Sequence, residues 1–387
     1  MGLLILTMAS VPSFVSAAVL IQSGADDAVV EVLPSVTRHR PVASEARAII
    51  ANPQTAASDA RAAISMARQT GETRYWGRAQ AVLGPWWNAS SAPVELAVLQ
   101  ATVEQGRHEF DAARRILEAA VAKEPGQAQG WLTLASLNRL SGRYADALKA
   151  CEAVAQAGQT LYANTCQLET QSLQGQHARA IQGFERSIGQ VSNPEQASWL
   201  WSLMAEALER AGKSPAADQA FQKSLALSPD LYTAIAYSDL LLRTGRPALA
   251  LNALQESPET DAVLLRRATA WKRMGEGQWK EARAALRTRT AELVRRGDDP
   301  TLHGRELALA ALWLDDDAVE ALKLARSNLQ LQKEPVDWWV AVQSAQAAQD
   351  GPALKELLSQ MTALGFHDQR VNPTSPAKMQ KSRSGAL

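Results

Sequence analysis

The chain has 387 residues, and 40 Lys+Arg against 40 Asp+Glu give it a formal net charge of +0. That balance argues against a dedicated nucleic-acid binder, which needs a basic excess to neutralise phosphates, and it provides no global attraction to an anionic membrane. At 46% hydrophobic and 21% charged residues the chain is too apolar for intrinsic disorder, and abundant alanine with few β-branched residues favours helix.

The N-terminus carries a short apolar run over residues 2–8, then Pro12, then Val15-Ser16-Ala17 before Ala18. Small residues at −1 and −3 of a cut after Ala17 fit a secretory signal peptide, residues 1–17, and predict a chain exported to the periplasm. The run lacks a preceding Lys or Arg, and an uncleaved membrane anchor over residues 2–21 is the competing reading, which Pro12 weakens. No cysteine lies near Ala17, which argues against an acylated lipoprotein. Residues 18–40 read as a linker. Residues 41–93 read as a degenerate helical repeat. Ala60, Ala63, Ile64, Ala67 and Gly71 mark its first helix, and Arg74–Leu83 forms the second, stopped by Gly84-Pro85.

Between residues 94 and 258 one pattern recurs. Its clearest copy is Trp201, Met204, Ala205, Leu208, Gly212, Ala217, Phe221, Ser224 and Pro229. Trp131, Leu134, Ala135, Asn138, Gly142, Tyr144, Ala147 and Cys151 occupy the same frame. So do Ala97, Ala101, Phe110, Ala113, Leu117, Ala120 and Pro125, with His108 standing where the turn glycine belongs. Gln171, Gly175, Ala180, Phe184 and Ser187 give another copy. Tyr237, Ser238, Leu241, Gly245, Ala250 and Leu254 give a further one, closed early by Pro258. Gly142, Gly175, Gly212, Gly245 and Gly275 follow one another at 33, 37, 33 and 30 residues. Small residues such as Ala135, Ala147, Ala205 and Ala217 permit close helix approach, and bulky ones fill the space to the next unit.

This pattern resembles the tetratricopeptide repeat (TPR), a helix–turn–helix unit of about 34 residues. The resemblance covers most of the chain, with about five clear units and three weaker ones. It implies an all-α fold, a right-handed superhelical solenoid of antiparallel helix pairs. Residues 259–367 continue the pairing in degenerate form: a lengthened helix over 279–296 broken by Gly297-Asp298-Asp299-Pro300, then 302–313 with 318–331, and 336–349 with 353–364. Asp315-Asp316-Asp317 sits at a helix start, where it complements the dipole. Residues 368–387 contain Pro373, Pro376 and several basic residues without a hydrophobic period, and read as a disordered tail.

In the repeat frame Cys151 falls late in one helix and Cys166 early in the next, so a disulfide is favoured over two buried thiols. No Cys-x-x-Cys occurs. The five histidines lie at no metal-ligand spacing, and His108 and His177 fall in turns where a solvated polar side chain is the default. Gly212-Lys213-Ser214 lacks the earlier glycine and preceding strand of a phosphate loop. No catalytic residue, cofactor or metal is therefore expected, and the chain is not read as an enzyme. Trp86-Trp87 and Trp338-Trp339 lie near opposite ends of the array. One member of each doublet is expected to be less buried, capping the end or anchoring a partner.

The resemblance also implies that four positions of each first helix line the concave wall. Carried over, they include Gln129, Leu132, Ser136 and Arg139; Tyr162, Thr165 and Glu169; Trp199, Ser202, Glu206 and Glu209; Tyr232, Ile235, Asp239 and Leu242; Leu265, Thr269 and Lys272. Gln129, Arg139, Tyr162, Glu169, Trp199, Glu206, Tyr232, Asp239 and Lys272 are the candidate partner-binding residues. The expected role is a non-catalytic scaffold docking a protein or peptide in the groove, with no nucleic acid and no small-molecule substrate. The alternative is a structural part of envelope assembly or polysaccharide export, associated with envelope components.

Overall fold

The computed structural model describes residues 52–295 and 299–371. The signal peptide, the linker, the start of the first degenerate segment and residues 372–387 of the expected tail lie outside them. Among the described residues there are eighteen α-helices and no strand, arranged as nine consecutive pairs in an all-α solenoid. The first helix of each pair is α1 (Pro53–Thr70), α3 (Val94–Gly106), α5 (Ala128–Leu140), α7 (Thr160–Leu173), α9 (Pro194–Arg210), α11 (Leu231–Arg243), α13 (Asp261–Met274), α15 (Gly304–Trp313) and α17 (Pro335–Ala347). The second helices are α2 (Arg74–Leu83), α4 (Phe110–Lys123), α6 (Tyr144–Gln156), α8 (His177–Ile188), α10 (Ser214–Leu227), α12 (Pro247–Ala253), α14 (Trp279–Arg295), α16 (Ala318–Leu331) and α18 (Gly351–Leu364). The α13–α14 pair keeps its turn glycine, but α14 buries only Ala282 and Leu286, so its repeat signal in the sequence is faint.

Close nesting rests on alanine. Ala113, Ala135, Ala147, Ala180, Ala205 and Ala217 are all completely buried, and Phe184 and Phe221 fill the space between units. Truncating such a phenylalanine to alanine costs about 3–5 kcal/mol. Each pair turns through a residue in the left-handed region. Gly212 has φ +70°, where a side chain would be strained; His108 takes the same place at φ +65° and rests its ring edge-on against Phe110. Helix starts are capped by local side chains. Asn193, Asp230, Thr260, Asp317 and Asp350 each accept from a backbone N–H of the first turn. Of the acidic triplet, Asp317 alone caps; Asp315 binds Arg283 and Arg287, and Asp316 turns the chain at φ +55° and pairs with Lys272.

Cys151 of α6 and Cys166 of α7 form a disulfide, with Cα atoms 5.6 Å apart. Closing a loop of this length contributes about 3 kcal/mol in the chain-entropy account. The bridge joins two successive repeats in the middle of the array.

Several expectations need correction. His177 is buried rather than solvated, and the Nδ1 of His108 is buried without a partner. Trp338 and Trp339 are both buried, Trp338 stacked on Phe366 and Trp339 against Trp313. Trp86 and Trp87 are both half-buried against the first-unit core, so neither doublet splits into an inner and an outer member. The unstructured tail does not begin at Asp368. Asp368 and Val371 are buried, and residues 369–371 form a 3₁₀ turn packed on the middle units.

The concave side is not an open trough. The coil is tight enough for its C-terminal end to touch its middle. The Lys333 amide donates to the Leu140 carbonyl at 2.7 Å, and the His367 amide donates to the Leu173 carbonyl at 2.9 Å. Leu140 and Leu173 end α5 and α7, where carbonyls have no partner inside their own helix. Arg370 reaches Glu209, near the end of α9, at 3.4 Å. Residues 364–370 thus form a strap across three successive turns, with Leu364 over Gly142, His367 over Gly175 and Gln369 over Gly212. At the other end, Gly71 lies against Thr260 and Leu231.

Candidate functional site

The first helices of the middle units and the C-terminal units together line a cavity of about 280 Å³ with mixed apolar and charged walls. On one side stand Arg139 of α5, Glu169 of α7, Glu206, Glu209 and Arg210 of α9, Tyr232 and Asp239 of α11 and Arg266 of α13. Arg305, Glu306, Lys333, Glu334 and Arg370 close it from the C-terminal side. Residues three, four or seven apart on one helix share a face, which explains why Glu206 and Glu209, or Tyr232, Ile235 and Asp239, reach the same space.

Most of the charge is paired inside the wall. Arg139 meets Glu169 at 2.9 Å, Arg243 meets Glu209 at 2.5 Å, and Arg266 grips Asp239 with two bonds of 3.0 Å. Arg370 holds Asp368 as well as Glu209, and Arg305 holds both Asp337 and Glu334. Such forked contacts fix geometry as well as charge. Burial works against the charge of Arg305, but Asp337 and Glu334 outweigh it and hold the guanidinium well above its ordinary value. Burial likewise pushes the Asp337 carboxyl up, against the pull of Arg305.

Glu206 and Tyr232 form the least conventional pair. The Tyr232 hydroxyl donates to Glu206 Oε1 at 2.7 Å, while Arg210 stands 3.5 Å from the other oxygen. Burial raises the Glu206 carboxyl above the usual carboxylate range, opposed by Arg210 and by the tyrosine. The Glu206 charge, and then burial, hold the Tyr232 phenol well above its ordinary value. Yet the residue retains 61% of its accessible surface. A tyrosine inside a concave wall with so much free surface offers contact area to an incoming group.

Five of the nine candidate residues converge on this cavity: Arg139, Glu169, Glu206, Tyr232 and Asp239. Tyr162 and Trp199 do not line it. They hold the same repeat position as Tyr232 on the two preceding first helices and pack together, ring centroids 5.7 Å apart, with Trp199 37% exposed. Gln129 is exposed and bonds Thr133 of its own helix. Lys272 is turned to the following unit, its ammonium donating to the Trp313 and Leu314 carbonyls and to Asp316. Thr165, Ser202, Leu242, Leu265 and Thr269 are buried in helix contacts. The closing residues Arg305, Glu306, Lys333, Glu334 and Arg370 left no signal in the sequence, since their place depends on how far the coil winds.

Beneath the strap lies a second polar cluster. His177 Nδ1 is 3.3 Å from Ser172 Oγ, which accepts from Arg210 Nε at 3.2 Å. Burial, together with Arg210, depresses the His177 imidazole to about 4. Among the described residues no group of three or more His, Cys, Asp or Glu side chains is placed to hold a metal ion, and no helix is long and apolar enough to cross a membrane.

Alanine-nested pairs, left-handed turns at repeat spacing and a concave wall built from first helices define the architecture. The chain folds as a tetratricopeptide-repeat solenoid. A Rap protein complexed with Competence and Sporulation Factor is similar in structure over 81% of this chain and 85% of that one, at 9% identity and a TM-score of 0.53. A tetratricopeptide repeat protein from Parabacteroides merdae matches 70% of this chain and 98% of its own, at 14% identity and a TM-score of 0.36. MamA MSR-1 C2 matches 45% of this chain and 92% of its own, at 19% identity and a TM-score of 0.33. At 9% identity the likeness to the Rap protein is one of fold. No family model matches the sequence, and no curated protein does either.

Proposed function

We propose that this TPR chain is a non-catalytic scaffold that binds a protein or peptide through its concave side, in the bacterial periplasm. The observation that carries the reading is the row Tyr162, Trp199, Tyr232. One repeat position on three successive first helices presents aromatic surface, and the row ends at the mixed-charge cavity. Aromatic groups of this kind supply anchor area at low entropic cost, and fixed charges set orientation. The Rap protein, similar in fold over most of both chains, was crystallised with a bound factor, which is consistent with a partner held by this architecture.

The disulfide supports an oxidising compartment, and the signal-like N-terminus supports export. Trp199→Ala should weaken capture of the native partner at least tenfold while moving the melting temperature by less than about 2 °C, because the ring is only partly packed. Capture from periplasmic extract followed by mass spectrometry checks it. Unchanged capture would remove the aromatic row from the reading, and recovery of membrane components alone would favour a structural role in envelope assembly.

A further inference from the structure

A cavity that has paired most of its own charges favours a guest of low net charge. A net-charged guest would lose hydration there without an excess of opposite charge to replace it. Two groups stand outside the internal pairing, and a third is only weakly held. The Lys333 ammonium makes no hydrogen bond or ion pair among the described residues, although its backbone is fixed on Leu140 and its stem lies on the turn at Gly142. The Glu306 carboxylate likewise has no hydrogen-bond or ion-pair partner among them. Glu206 is held by Tyr232 and at longer range by Arg210. One cation and one carboxylate without partners, together with the weakly held Glu206, thus line one cavity beside the exposed Tyr232.

The volume limits the guest. About 280 Å³ falls just under the usual range for drug-sized ligands, roughly 300–1,000 Å³.

We propose that the cavity binds a small zwitterion, one ammonium and one carboxylate on a body of amino-acid to dipeptide size. Lys333 receives the carboxylate, Glu206 and Glu306 receive the ammonium, and the Tyr232 ring covers the apolar part. Burial, which disfavours a lone charge on Glu206 and on Lys333, makes each of them gain when an opposite charge arrives. The site shares Tyr232 with the aromatic row but neither Tyr162 nor Trp199, and it goes beyond the scaffold reading.

The test is isothermal titration calorimetry and thermal shift on the full chain. The probes are each of the twenty L-amino acids and the dipeptides Ala-Ala, Ala-Leu and Ala-Phe, with N-acetyl and methyl-ester forms of every hit and inorganic phosphate as the net-charged comparison. At least one zwitterion should bind saturably and raise the melting temperature, with both blocked forms at least tenfold weaker and phosphate inert. Lys333→Met should weaken the zwitterion at least tenfold and leave its ester unaffected. Glu306→Gln, which loses no internal bond, should weaken the zwitterion and leave its N-acetyl form unaffected. Absence of saturable binding by any zwitterion, equal binding of the blocked forms, or preferential binding of phosphate would each overturn the proposal. Partner capture by the same preparation is unaffected by that failure, so the scaffold reading is judged separately.

Discussion

Gly212 and Gly245 have nearly the same backbone, φ +70° and +75°, and opposite surroundings. Gln369 lies over Gly212, as His367 does over Gly175 and Leu364 over Gly142, whereas Gly245 and Gly275 face open space. The same local signal builds the same turn in every unit. What differs is whether a segment more than a hundred residues away has been laid across it. A plain helical array couples each unit only to its neighbours, and its stability is close to a sum of unit and interface terms. The strap adds coupling between the last units and the middle ones and converts the array into a closed body.

Breaking the strap at its most buried point gives the largest expected effect. Phe366 is 2% exposed and stacked on Trp338, so Phe366→Ala should cost about 3–5 kcal/mol, while Leu249→Ala on the uncovered side, 49% exposed, should stay within about 0.5 kcal/mol. Urea unfolding followed by circular dichroism measures both. Equal losses would mean that the strap contributes nothing beyond an ordinary repeat contact.

Acid should single out the strapped side next. The native state keeps His177 neutral down to about 4, while the unfolded chain takes up its proton near 6.5. Between those values the unfolded state binds more protons, so stability falls as the pH drops from 6.5 to 4 and then levels off. The contribution is at most about 3 kcal/mol, reduced by solvent screening. The groups facing this imidazole are Ser172 on α7, Arg210 on α9 and His367, Asp368 and Arg370 on the strap. Unfolding free energies of the native chain and of His177→Gln, compared at pH 7 and pH 4, isolate this term. Parallel curves would show that the imidazole does not titrate abnormally.

The smallest effect comes from the turns themselves. Gly245→Ala should cost about 1–2 kcal/mol from its left-handed backbone alone. Gly212→Ala carries that cost and must also displace Gln369, so it should exceed Gly245→Ala and increase hydrogen exchange at the His367 amide. Identical costs and unchanged exchange would place the strap too far away to feel the turn.

The helix pairs were legible because each is specified locally. Alanine every few residues, glycine or a tolerated substitute at the turn and proline or glycine at the exit are properties of one short segment. Even the degenerate first pair and the last two fall close to where their patterns place them. The concave stripe was legible in part for the same reason, since Glu206, Tyr232 and Asp239 share faces fixed by helical periodicity. Lys272 departs because an unpaired carbonyl at the end of α15 captures its ammonium, a contact with no counterpart in the repeat.

Local sequence therefore determined the unit, its turn, its buried small residues and the pairing of helices, because the energies that decide them act within a few dozen residues. The tertiary structure alone decided that the trough closes, that Asp368, Arg370 and Val371 belong to the folded body, and that Lys333 and Glu306 face Glu206 across one cavity. Those outcomes depend on the small rotation from unit to unit, summed along the array, and no single segment encodes the sum.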